Sequence, residues 1–132
     1  MKIRQKTKIW IYNDDKEILG EIKKSFDSNE YDVRCFSSFE ILYEKMEDEE
    51  PDVIILDWIF SGSSGLEISQ NLQSIIQSTN IGIIILSTRN SETDKLNAFE
   101  IGVDDYITIP FLKSELAARV KELEAKVKVA EE

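Results

Sequence analysis

A chain of 132 residues with 42% hydrophobic content is long enough to bury one core without disulfide or metal staples, and short enough to be one domain. Its formal net charge of -10, from 26 acidic and 16 basic residues, argues against direct binding of a nucleic-acid backbone and points to protein partners or a divalent cation. With no histidine and a single cysteine, it has no His-based general base, no His-containing zinc site and no internal disulfide.

The opening MKIRQKTKIW contains no signal-type apolar stretch, and no run in the chain is long enough to span a membrane, so a cytoplasmic protein is expected. Residues 8–12 (KIWIY) read as a short strand that stops at Asn13-Asp14-Asp15. Asp15 is placed to cap a helix whose apolar positions Ile18, Leu19, Ile22 and Phe26 recur at helical spacing. Asp27-Ser28-Asn29 breaks that helix, and residues 31–36 (YDVRCF) alternate as a strand with one face nearer solvent. Ser37 and Glu40 form a capping-box pattern ahead of a second helix, which dissolves in the acidic run 47–50.

Pro51 introduces PDVIILDWIFSGSSG, the stretch around which the chain is organised. Val53, Ile54, Ile55 and Leu56 form a buried strand that delivers Asp57 to its end. An ionisable group there is costly unless it faces a cleft or performs chemistry. Ser64 and Glu67 repeat the capping-box pattern before a third helix carrying Leu66, Ile68, Leu72, Ile75 and Ile76. Residues 81–86 (IGIIIL) form another apolar strand ending at Ser87-Thr88. Ser91 and Asp94 start a fourth helix, which Gly102 ends. Residues 105–108 (DYIT) are the last strand, Ile109-Pro110 turns the corner, and Leu116, Ala117, Val120, Leu123 and Val127 stripe a closing helix. Cys35, Trp10 and Trp58 read as structural, a small hydrophobe and two large ones.

Five strand–helix units with nearly continuous apolar strands predict an α/β fold: a parallel sheet with helices on both faces, a doubly wound three-layer sandwich. In such folds ligands sit at the carboxyl ends of the strands. That rule selects Asn13, Asp14 and Asp15, then Asp57, Ser87 with Thr88, and Ile109. Converging carboxylates there suit Mg²⁺, and a carboxylate can also accept a phosphoryl group.

The acidic corner after the first strand, PDVIILDW, the hydroxyl after the fourth strand and GVDDYITIPF together resemble the receiver domain of two-component response regulators, over about the whole chain. The resemblance implies a five-stranded sheet of order 2-1-3-4-5, with a receiver domain at 1–125 and a helix end or linker toward an output domain at 126–132. It implies that Asp57 matches the phosphoacceptor and that Asp14 ligates Mg²⁺ directly. Ile59 would offer its backbone carbonyl to the metal, while Ser87 and Tyr106 stand at the switch hydroxyl and switch aromatic positions. Two positions depart from the pattern: the first member of the acidic pair is Asn13, and the family's lysine is Ile109. Isoleucine cannot neutralise the charge that phosphorylation adds, so impaired phosphoryl transfer and a weakened Mg²⁺ site, with Asn13 acting only through water, are expected.

The last third carries a second pattern, of charges. Lys95, Glu100, Asp104, Asp105, Glu115, Arg119 and Lys121 resemble the set by which receivers of OmpR/PhoB-type winged-helix regulators form a two-fold dimer. The pairs implied are Lys95 with Glu115, Asp105 with Arg119 and Glu100 with Lys121. The expected protein is therefore not an enzyme but a dimerising regulatory receiver with weak or no dependence on phosphorylation. A DNA-binding output domain beyond this chain and a histidine kinase are its implied partners. A conventional Mg²⁺-dependent switch at Asp57 is the alternative, and a flavodoxin-like nucleotide or flavin binder the remote one. Asn13-Asp14-Asp15 would repel phosphate in that last case unless a cation intervened.

Overall fold

The computed structural model describes residues 5–57 and 63–131, with side chains described for 5–57 and 68–127. Strands and helices alternate without exception: β1 (Thr7–Tyr12), α1 (Lys16–Lys24), β2 (Tyr31–Phe36), α2 (Phe39–Lys45), β3 (Val53–Leu56), α3 (Ser63–Ser78), β4 (Gly82–Ser87), α4 (Glu92–Ile101), β5 (Asp105–Thr108) and α5 (Lys113–Glu131). All four strand pairings are parallel, and the sheet order is β2-β1-β3-β4-β5, as expected.

Strand alternation divides the core in two. Trp10, Ile54, Leu56, Ile83 and Ile85 pack with Phe39, Leu42, Leu72, Ile75 and Ala98 from α2, α3 and α4. The intervening residues Ile9, Ile11, Val53, Ile55, Ile84 and Leu86 pack with Ile22 of α1 and with Leu116, Val120 and Leu123 of α5. Burial of each such side chain contributes about 1.5–3 kcal/mol, which is why β3 and β4 need apolar residues at every position. At Gly82 a Cβ would lie 2.5 Å from Leu123, so α5 crosses β4 closely enough to require glycine or movement of the leucine.

Local chemistry sets the helix ends. Asp15 caps α1, accepting from the amides of Glu17 and Ile18. Ser91 caps α4 and Gly102 closes it at φ 112, a left-handed conformation that glycine adopts without Cβ strain. Two expected caps shift. Ser38, not Ser37, caps α2: its backbone is extended and its hydroxyl accepts from Ile41 N at 3.1 Å, in register with a helix starting at Phe39. Because α3 begins at Ser63, Ser64 falls inside its first turn, and the side chains of Ser64 and Glu67 lie outside the described residues. Trp10 is core, whereas Cys35 is exposed, because β2 is an edge strand with an open flank. Trp58 lies outside the described residues. Among the described residues no helix is long and apolar enough to cross a membrane.

Candidate functional site

The carboxyl ends of β1 and β3 lie side by side, with Tyr12 opposite Leu56 in register and the Asp57 amide donating to the Tyr12 carbonyl at 3.0 Å. One residue further on, Asn13 and Asp57 therefore stand at the same strand end. On the other side, the Ile109 amide donates to the Ser87 carbonyl at 2.8 Å, so the ends of β4 and β5 are joined beyond the last ladder pair. A cis peptide links Ile109 to Pro110. The topology thus gathers Asn13, Asp14, Asp57, Ser87 and Ile109 at the carboxyl-terminal end of the sheet; Ile59 lies outside the described residues.

Asp57 is half-buried, and its carboxylate has no hydrogen bond or ion pair among the described residues. Burial is the main cause that holds its pKa above the ordinary carboxylate value, and the charge of Asp14 adds to it. Asp14 is exposed and its Oδ1 accepts from the Tyr12 hydroxyl at 3.1 Å. The Tyr12 phenol is itself held up, first by burial, then by the bond to Asp14 and by the charges of Asp14 and Asp57. Tyr12 was not singled out by sequence, although it is the strand residue immediately before the polar corner. Ile109 is half-buried and packs against the α1 and α5 side of the core, so no ammonium stands at the position where the resemblance expects one.

Asn13 is only 3% exposed. Its Oδ1 accepts from Asp15 N at 2.8 Å, and among the described residues its Nδ2 is the buried side-chain polar atom without a hydrogen-bond partner. This geometry decides the fit of a Mg²⁺ ion. Among the described residues no group of three or more His, Cys, Asp or Glu side chains is placed to hold a metal, and where the first acid of the pair would stand, Asn13 has its oxygen on the Asp15 amide and a donor, Nδ2, left unpartnered. Two carboxylates remain, Asp14, whose Oδ1 also accepts from Tyr12, and Asp57, so the donor set lacks the third acid that the resemblance implies and has a buried amide donor in its place.

Ser87 and Tyr106 meet on one residue. Ser87, 1% exposed, accepts from the Arg89 amide at 3.1 Å, and the Tyr106 hydroxyl donates to the Arg89 carbonyl at 2.6 Å. Burial raises the Tyr106 pKa, while a hydrogen bond with Ser87 lowers it. The loop from β4 to α4 is therefore clamped through the Arg89 backbone, a role that no side-chain pattern in the sequence marked.

The charged face is less uniform than its sequence pattern. β5 is an edge strand flanked by α4 on one side and α5 on the other. Arg119 Nε lies 3.4 Å from Asp105 Oδ2 and Nη1 3.9 Å from Glu122, so the pair expected between subunits already exists within one chain. Asp104 Oδ2 accepts from the Ile83 amide at 2.8 Å. Lys121 lines an open pocket of about 370 Å³ with Thr7, Tyr31 and Glu124. Lys95, Glu100 and Glu115 have no ion pair among the described residues. Leu96, Phe99 and Leu112 are exposed large hydrophobics on α4 and just before α5.

Comparison with known proteins agrees with this architecture. The response regulator receiver domain family matches residues 9–121. The phosphate regulon transcriptional regulatory protein PhoB of Pseudomonas aeruginosa is 43% identical over 74 residues, which is 56% of this chain and 32% of that protein, so the match spans about a third of the relative's length. Among solved structures, the receiver domain of Francisella response regulator 1452 is 31% identical with a TM-score of 0.77, covering 91% of this chain and 98% of that one. DrrB, an OmpR/PhoB homologue of Thermotoga maritima, is 29% identical with a TM-score of 0.77, over 92% of this chain and 54% of that one. With its sheet order, its strand-end aspartate and more than four-fifths of its length inside the family match, this chain belongs to the response regulator receiver domain family of two-component signalling.

Proposed function

We propose that this chain is a regulatory receiver that assembles through α4, β5 and α5 and depends little or not at all on phosphorylation of Asp57. Receivers of OmpR/PhoB-type regulators work with histidine kinases and DNA-binding output domains, and often dimerise. The observation that carries the proposal is the surroundings of Asp57. The carboxylate has no cation partner among the described residues, Ile109 packs apolar where a lysine would stand, and Asp14 adds like charge. Attack of the Asp57 carboxylate on a phosphodonor, with release of the donor's leaving group, would add negative charge to a site that has no cationic partner for it among the described residues.

The assembly face rests on separate support. An open β5 edge needs cover, and the exposed Leu96, Phe99 and Leu112 add apolar area to the unpaired charges of Lys95, Glu100 and Glu115. A two-fold dimer would present each of these to its complement. Its Asp105–Arg119 pairs would form by exchange of the bond already present within each chain. In this reading the clamp of Ser87 and Tyr106 on Arg89 holds the loop before α4 in one arrangement. The output domain regulated by the dimer would be a DNA-binding one, in a longer protein.

Sedimentation velocity with and without acetyl phosphate and Mg²⁺ tests both parts. A dimer under both conditions is expected. A monomer that dimerises only with phosphodonor and Mg²⁺ would establish the conventional switch instead.

A further inference from the structure

Asn13 is more than a missing acid. Its orientation is fixed by chemistry: the Asp15 amide can only be met by an acceptor, so the side-chain oxygen is Oδ1 at 2.8 Å, and a flipped amide would set two donors against each other. With Oδ1 taken up by that amide, the other polar atom of the side chain is Nδ2, a donor that is buried in a residue 3% exposed and without a partner among the described residues. Buried donors of this kind call for a functional explanation, because leaving one unmet is costly.

A hydrated Mg²⁺ ion keeps several waters, whose lone pairs face the cation and whose hydrogens face outward. A residue that holds such a shell must accept hydrogen bonds, and a carboxylate does so with either oxygen. Asn13 offers the opposite polarity. Asp14 keeps an acceptor for that shell in Oδ2, its Oδ1 being engaged by the Tyr12 hydroxyl.

We infer that Asn13 is a specificity-determining residue that closes the strand-end cleft to hydrated Mg²⁺ by presenting a donor where the water shell needs an acceptor. This rests on the reading of the cleft beside Asp57 as the receiver site proposed above. The Asn13→Asp substitution keeps an oxygen for the Asp15 amide and replaces Nδ2 by an acceptor, so it reverses the polarity without removing the turn.

The experiment is a MgCl₂ titration of the wild-type chain, Asn13→Asp and the double variant Asn13→Asp with Asp57→Asn. It is followed by tryptophan fluorescence, Trp58 being the residue after Asp57, and by thermal melting, with circular dichroism as the check on folding. The expected result is a gain of about 10- to 100-fold in Mg²⁺ affinity for Asn13→Asp over wild type, the usual range for a residue that orients a metal's ligands, and loss of that gain in the double variant. Wild-type affinity equal to that of Asn13→Asp, or a folded Asn13→Asp with no gain, overturns the inference. A gain that survives Asp57→Asn places the cation elsewhere, and it is the assignment of the cleft that then fails.

Discussion

The two ends of the sheet use aspartate in opposite ways. At the amino-terminal end, Asp52 and Asp104 each close a ring with a neighbouring strand. The Asp52 amide donates to the Lys8 carbonyl at 2.9 Å while the Lys8 amide donates to Asp52 Oδ2 at 2.8 Å, and Asp104 makes the same pair of bonds with Ile83. These carboxylates are satisfied by backbone donors and hold β1 to β3 and β4 to β5 in register. At the carboxyl-terminal end, Asp57 has no hydrogen bond or ion pair among the described residues, and it is half-buried near a second acid. The same residue type is structural where the chain supplies donors and destabilising where it does not. An unmet carboxylate at a strand end marks the site, and a met one marks the scaffold.

Removing the satisfied carboxylates has the largest expected effect on stability. Asp52→Ala and Asp104→Ala each leave a strand-end amide unpaired and should cost about 1–3 kcal/mol, nearly additively since they lie on different strand pairs. Chemical denaturation of the single and double variants measures this, and a loss confined to one of them would break the symmetry between the two rings.

Supplying the missing cation at the other end should convert that end's chemistry. Ile109→Lys restores the ammonium that the family resemblance sets against the strand-end aspartate; on the proposed reading it favours the carboxylate, lowers its pKa and gives an added phosphoryl group a partner. Labelling by acetyl phosphate in Mg²⁺ should rise by roughly 10- to 100-fold, the yield of one charge-assisted hydrogen bond of about 1.5–3 kcal/mol. An unchanged rate would mean that Ile109 is not what limits the site.

Neutralising Asp57 should stabilise the protein, the reverse of the effect at Asp52. Because its pKa is raised on folding, the unfolded chain releases this proton first as pH rises, so the penalty is absent below the ordinary carboxylate range and complete above the folded-state pKa. Asp57→Asn should therefore raise the melting temperature by a few degrees at neutral pH, with the gain fading as pH falls through that window. A gain of equal size at low pH would remove ionisation as its cause. The smallest effect is expected at the surface pair: Arg119→Ala breaks the 3.4 Å bond to Asp105 but should cost under about 1 kcal/mol of stability, while weakening the proposed dimer. Sedimentation of that variant separates the two roles.

Much of this molecule is written in local pattern. The apolar runs of β3 and β4, the helical spacing of Ile18, Leu19 and Ile22, and the caps at Asp15, Ser91 and Gly102 all declared their elements, because burial and capping act on residues a few positions apart. The sequence pattern points to Ser37 and the structure to Ser38 as the α2 cap, because the two serines are chemically alike and only the backbone at Ser38, extended just before the helix, distinguishes them. Asp57 and Ser87 are legible as residues that end their strands, and Tyr106 only through the family resemblance. Their partners were not, since the Arg89 backbone that receives Ser87 and Tyr106 carries no side-chain signature.

The sequence by itself determined the alternation of strands and helices, the residues that end each strand, and the absence of lysine at 109 and of an acid at 13. Which carboxylates would be met and which left unmet was decided only by the tertiary structure. Strand register brings Lys8 to Asp52 and Ile83 to Asp104, and it sets Asn13 beside Asp57, pairs that lie 21 to 44 residues apart along the chain. Hydrogen-bond satisfaction depends on distance in space, and composition and spacing do not encode the polarity that one locked amide presents to a cleft.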